Sequence, residues 1–158
     1  MEHTENIHDK AFKEVFSHAE QAKDFIVNTF PPDLVKKLDF NEFKLDTTAY
    51  VDEQLGAFFS DIVYNCLYNG ATQIKISLLF EHKSNRSSFP HIQLLRYILC
   101  IWETNLKADE KPMIVIPILF YHGKKGWLYR KFDKYFKGID KDYPNVRLHL
   151  CERQKHSL

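Results

Sequence analysis

A chain of 158 residues that is 44% hydrophobic and 15% aromatic, with five glycines and six prolines, is sized and composed for one packed domain rather than a disordered or fibrous one. Its formal charge of +1 supplies no whole-molecule field toward nucleic acid or an acidic membrane, so a polyanion must be met by a local patch. Three widely spaced cysteines, Cys66, Cys100 and Cys151, form no CxxC pair; they argue against a disulfide frame or a cysteine zinc site and read as reduced thiols of a cytoplasmic protein.

The opening "MEHTENIHDK" is polar and lacks the apolar stretch of a secretory signal. The longest apolar run, "MIVIPILFY", is broken by Pro117 and falls well short of the roughly 20 residues a spanning helix needs, so no membrane partner is expected.

In "HDKAFKEVFSHAEQAKDFIVNTFPP", Asp9 is placed to cap a helix. Phe12, Val15, Phe16, Ala19, Ala22, Phe25 and Ile26 then recur at helical spacing until Pro31 and Pro32. Helices are predicted near 9–18, 20–29 and 32–38. An "HD" metal pair at His8 and Asp9 is the weaker reading beside capping, because no second set follows at suitable spacing. "FKLDTTAYV" reads as a strand or a linking ribbon. Next, two apolar runs flank Asn69-Gly70, which predicts a β-hairpin.

"FPHIQLLRYILCIWETNLK" is a long amphipathic helix with Ile92, Leu95, Leu99 and Trp102 on one stripe. "MIVIPILFYHG" is a buried strand whose Pro117 argues for an edge or a bulge. "WLYRKFDKYFKG" predicts a short helix and "VRLHLC" a last strand. Together these elements predict an α/β or α+β fold with a mixed sheet and flanking helices.

The second hairpin strand ends "SLLFEHKSN", so an apolar run closes on Glu81, His82 and Lys83. Alternation puts Glu81 and Lys83 on one face and His82 on the other, where it reads as a packed histidine. Asp61 sits among apolar neighbours on the partner strand. A two-residue Asn-Gly loop would pair it with Leu78 and turn it away from Glu81. A three-residue loop over Asn69, Gly70 and Ala71 would pair it with Leu79 and bring both carboxylates to one face. Two hard oxygen ligands there suit Mg²⁺ or Mn²⁺, with a lysine beside them, which is the equipment of phosphodiester hydrolysis. The alternative is an exposed cross-strand pair and a surface aspartate on an edge.

Asp61 followed by Glu81-His82-Lys83 resembles the D…(D/E)xK signature of the PD-(D/E)XK nuclease-like superfamily. More narrowly, "HDKAFKEVF" (8–16), "FFSDIVYN" (58–65), "LLFEHKS" (78–84), "LLRYILCIW" (94–102) and "PMIVIPILFYHGKKGW" (112–127) resemble the Rpn-type recombination-promoting nucleases, a transposase-related family.

The resemblance implies a single restriction-endonuclease-like domain over 1–158 without the further C-terminal region of longer relatives. It implies an Mg²⁺-dependent endodeoxyribonuclease, with Asp61 and Glu81 as metal ligands and Lys83 as the catalytic lysine. Many relatives carry Gln at the position of Lys83. Gln93 and Tyr97 resemble the QxxxY accessory motif of RecB-like members, and core packing is the other reading. Glu14 is where superfamily members sometimes place an acidic residue, although it, Asp52 and Glu53 read better as solvated surface.

Residues 123–138, "GKKGWLYRKFDKYFKG", carry five Lys and one Arg against one Asp, a local +5 that leaves about −4 for the rest. Lys124, Lys125, Arg130, Lys131 and Lys134, interleaved with aromatics, are the candidates for gripping a DNA backbone; a solvated amphipathic helix is the alternative. No segment resembles a recognition helix, which argues against sequence-specific cutting. The expected partners are DNA and a homodimer mate, with no small-molecule cofactor. The competing reading is a catalytically inactive nuclease-fold protein that binds DNA or a partner.

Overall fold

The computed structural model describes residues 7–50, 59–81, 89–121 and 132–135. Three helices open the chain: α1 (Ile7–Phe16), α2 (Ala19–Thr29) and the short α3 (Pro32–Val35). Strands β1 (Leu38–Leu45), β2 (Phe59–Tyr68) and β3 (Thr72–Glu81) follow, then α4 (Pro90–Lys107), β4 (Ile114–Tyr121) and a 3₁₀ turn (Phe132–Tyr135). Among the described residues no helix is long and apolar enough to cross a membrane. The expected strand at "VRLHLC" lies outside the described residues.

The helix boundaries differ from the sequence reading at both ends of the first segment. Helix α1 starts two residues before Asp9, so Asp9 is a buried first-turn residue and not the cap. Strand β1 begins at Leu38 and ends before the "DTTAY" portion of the expected ribbon, because Asp46 turns the chain by accepting the Thr48 amide at 2.9 Å.

The sheet order is β1-β2-β3-β4, antiparallel except for the β3–β4 pair, which is parallel and connected through α4. This is an α+β fold consistent with a restriction-endonuclease-like core. Pro117 lies on β4, which is an edge strand among the described residues, where a missing N–H is tolerated. The β1–β2 register shifts between Asp39 and Lys44, an irregularity between the two paired ends of β1.

Alternation along the strands sends two cores to opposite faces. On one face Ile62, Tyr64, Ile74, Ile76, Leu78 and Ile118 pack against Phe12, Ala22 and Ile26 of α1 and α2. On the other, Val63 and Leu79 pack against Leu94, Tyr97 and Ile101 of α4. Tyr64 anchors the first core: fully buried, it stacks on Phe43 at 4.2 Å and donates to the Phe16 carbonyl at 2.7 Å. Burial pushes its phenol up to about 12. Tyr64→Phe keeps the stacking and leaves that carbonyl to the α1 end alone. A loss of about 1 kcal/mol in urea unfolding, at unchanged m-value, is expected.

The row of α4 that meets the sheet is Leu94, Tyr97, Ile98 and Ile101, and not the stripe picked out by its apolar spacing. Ile92, Leu95, Leu99 and Trp102 are 36–51% exposed. Both rows are apolar and helically spaced, so periodicity marks two faces of the helix without saying which one the sheet covers.

Candidate active site at the end of the hairpin

The β2–β3 turn holds three residues. Tyr68 pairs with Thr72, and Asn69 and Gly70 both take positive φ, 52° and 67°. Asn and Gly are the residues that adopt that conformation at least cost, so the Asn-Gly pair forms a turn as expected, one residue longer than the tightest hairpin. The odd count sets the register. Asp61 lies opposite Leu79, and Glu81 is two residues beyond Leu79 on the same strand. Directly opposed residues share a face and so do residues two apart, which gives Asp61 and the backbone position of Glu81 a common face at the end of the hairpin. A two-residue loop would have put them on opposite faces.

That face is the one α4 covers. Tyr97, 4% exposed, donates its hydroxyl to Asp61 Oδ2 at 2.5 Å. Burial, reinforced by the Asp61 charge, raises the phenol above its ordinary value, so it stays protonated and acts as a donor. Asp61 is half-buried, and its Oδ1 accepts no hydrogen bond from the described residues. A carboxylate with one oxygen fixed and the other open is a hard, oriented oxygen donor, the kind Mg²⁺ or Mn²⁺ takes. Gln93, one turn before Tyr97, has a buried Oε1 with no hydrogen-bond partner among the described residues. Among those residues no group of three or more His, Cys, Asp or Glu gathers into a metal cluster.

Other candidates fall elsewhere. Glu14 is exposed on α1, which packs against the opposite face of the sheet from Asp61. His82, Lys83, Asp52, Glu53, Lys124, Lys125, Arg130 and Lys131 lie outside the described residues. Lys134 is exposed on the 3₁₀ turn, which stands where a short helix was expected. Its neighbour Tyr135 contacts Phe89 and His91, each at 5.2 Å between ring centroids, so this turn sits at the N-terminal end of α4, the end that carries Gln93. Cys66 is buried in the core and Cys100 is half-buried.

Sequence reasoning missed a second polar constellation on this same face. Lys75, flanked by Ile74 and Ile76, forms a buried ion pair with Asp46; it also donates to Asn65 Oδ1 at 2.9 Å. Tyr50 donates to the same carboxylate at 2.6 Å. Burial would raise the Asp46 carboxyl, but the Lys75, Tyr50 and Thr48 hydrogen bonds outweigh it and bring it down to about 2. The pair borders a cavity of about 460 Å³ toward the C-terminal end of α4, whose lining does not include Asp61 or Tyr97. A lysine in an Ile-Lys-Ile strand was the available signal, since an interior lysine must be paired.

A mixed sheet that brings Asp61, Tyr97 and the Glu81 position together, with helices on both faces, fits the class of restriction-endonuclease-like folds. The chain matches the family described as "Putative transposase, YhgA-like" over residues 6–154, and it belongs to that family. It is 32% identical over 124 residues to recombination-promoting nuclease RpnD of Escherichia coli O157:H7, covering 77% of this chain and 47% of that protein. Recombination-promoting nuclease RpnC of Escherichia coli K12 is 30% identical over 118 residues, 74% of this chain and 39% of that protein. A relative from the same strain, inactive recombination-promoting nuclease-like protein RpnE, is 27% identical over 122 residues, 77% of this chain and 40% of that protein. The chain therefore spans less than half the length of each of these three. No solved structure matches it.

Proposed function

We propose that this protein is a metal-dependent DNA endonuclease that hydrolyses phosphodiester bonds in a recombination- or transposase-related role. The observation that carries the reading is the three-residue turn, which gives Asp61 and the Glu81 position one face, with Tyr97 fixing the Asp61 carboxylate. The names of relatives as recombination-promoting nucleases support it.

Asp61 and Glu81 would hold Mg²⁺, or Mn²⁺ in its place. When bound, such an ion polarises a phosphate oxygen and makes an attacking water more acidic. The protein's own groups do the rest. The Tyr97 hydroxyl keeps the Asp61 carboxylate in one orientation. Lys83 would place its ammonium beside the phosphate and stabilise the charge that develops there. Gln93 offers a buried acceptor that water or the scissile strand can satisfy. Lys134 and the basic residues Lys124, Lys125, Arg130 and Lys131 would hold the DNA backbone through contacts that weaken with salt.

A second reading, an inactive nuclease-fold protein that binds DNA or a partner, is favoured by the relative named inactive. Nicking of supercoiled plasmid separates the two. Cleavage with Mg²⁺ or Mn²⁺, none with EDTA, and none in Lys83→Ala is expected of the nuclease. A folded wild type that retards DNA without nicking it is expected of the second reading, and equal nicking by wild type and Lys83→Ala would reject the assigned site.

A further inference from the structure

Helix α4 carries more apolar surface than the sheet covers. Ile92, Leu95, Leu99, Trp102 and Leu106 are 50%, 36%, 51%, 37% and 60% exposed. Their spacing is three, four, three, four, which is the a/d repeat of a helix that packs along another helix. At about 100° per residue, this seam lies roughly 120° around the axis from the row of Leu94, Ile98, Ile101 and Asn105 that is buried. A single helix thus presents two stripes at the same spacing, one spent on the sheet and one facing outward.

We infer that the Ile92–Leu106 seam is the dimer interface of this protein, formed by two copies of α4 crossing antiparallel about a two-fold axis near Leu99. Three observations choose a second copy over another partner. First, the seam is nearly self-complementary: Leu99 is at its centre, with two apolar positions on either side, and reversal brings each apolar position to within one residue of another, as an isologous contact requires. Second, the solvent-side flank holds exposed Arg96 and Glu103 one heptad apart. Antiparallel pairing about Leu99 brings each close to the opposite sign on the partner copy, whereas parallel pairing would level like with like.

Third, the area suffices. The five residues expose on the order of 500 Å² of apolar surface, at the upper range for a monomer's largest patch. Two copies would bury about 1,000 Å² in total, the area at which a specific interface begins. The seam leaves the Asp61 edge uncovered, so two such edges would lie on one dimer, and the inference does not depend on the nuclease reading.

Sedimentation velocity of the intact 158-residue chain tests it, at up to about 100 µM, where even a micromolar complex is formed. The expected result is a species of twice the 18.8 kDa chain mass that dissociates on dilution. Leu99→Glu should sediment as a monomer with an unchanged circular dichroism spectrum. Val27→Glu, an exposed apolar residue on α2 away from the seam, should remain a dimer. If Leu99→Glu fails to fold, Leu106→Lys, at the more exposed end of the seam, serves in its place. A wild type that stays monomeric throughout, or a dimer that survives the seam substitution, overturns the inference. Loss of the dimer in Val27→Glu as well would mark unspecific association and also overturn it.

Discussion

Asp61→Asn should lower metal-dependent nicking by roughly 10³-fold, on the order of 4 kcal/mol of transition-state stabilisation, with the fold intact. The amide keeps the size of the side chain and can still accept from the Tyr97 hydroxyl, so what is lost is the charge on the oxygen left open. Tyr97→Phe makes the complementary cut: the charge stays and its orientation is released. A fall of about 10- to 100-fold is expected there, typical of losing the partner that holds a metal ligand in place. The two variants should respond differently to added metal. Raising Mg²⁺ or Mn²⁺ repopulates a loosely held site in Tyr97→Phe, while Asp61→Asn stays inactive. Plasmid nicking across a metal titration reads both. A Tyr97→Phe protein as active as wild type at low metal would show that the hydrogen bond is structural alone, and an active Asp61→Asn would remove Asp61 from the site.

How far the sequence reached depended on whether a feature was local. The hairpin was legible because Asn69-Gly70 between two apolar runs constrains its own backbone, and the odd loop length followed once Asp61 and Glu81 were required to share a face. Pro117 pointed to an edge or a bulge through its missing donor, also a local property, and among the described residues β4 is an edge strand. The buried row of α4 was not, because two apolar stripes on one helix compete and only the sheet decides between them. The Asp46–Lys75 pair was missed for the same reason. It joins residues 29 apart, and neither says on its own that the other lies across the sheet face. Asp9 was misread as a cap because the helix extends two residues further back, to Ile7. In the site itself, Tyr97 was found through its motif spacing, but its bond to Asp61 required the tertiary contact between α4 and β2.

Lys75→Met should destabilise the protein by about 3–5 kcal/mol, the usual cost of leaving one member of a buried ion pair without the other. Lys75 and Asp46 side chains are each only 5% exposed, so water cannot take over the lost partner. Tyr50 and the Thr48 amide still donate to the carboxylate, but they do not neutralise it. Removing both charges, in Lys75→Met combined with Asp46→Asn, should recover most of the loss. Urea unfolding of the two variants against wild type measures this, and a single variant within 1 kcal/mol of wild type would show that the pair carries no net burial cost.

The acid limb gives an independent reading of the same pair. Asp46 is brought down to about 2 in the folded state from an ordinary value near 3.8, so its contribution is fully present above pH 4 and is lost as pH falls toward 2. The shift corresponds to about 2 kcal/mol of stability over that window. In Lys75→Met the largest of the hydrogen bonds that lower Asp46 is gone, and burial then opposes the charged form with less against it. The stability lost between pH 4 and pH 2 should therefore shrink in this variant, even though it is the weaker protein at neutral pH. An acid limb as steep as that of wild type would mean that Lys75 is not what holds the Asp46 carboxylate ionised.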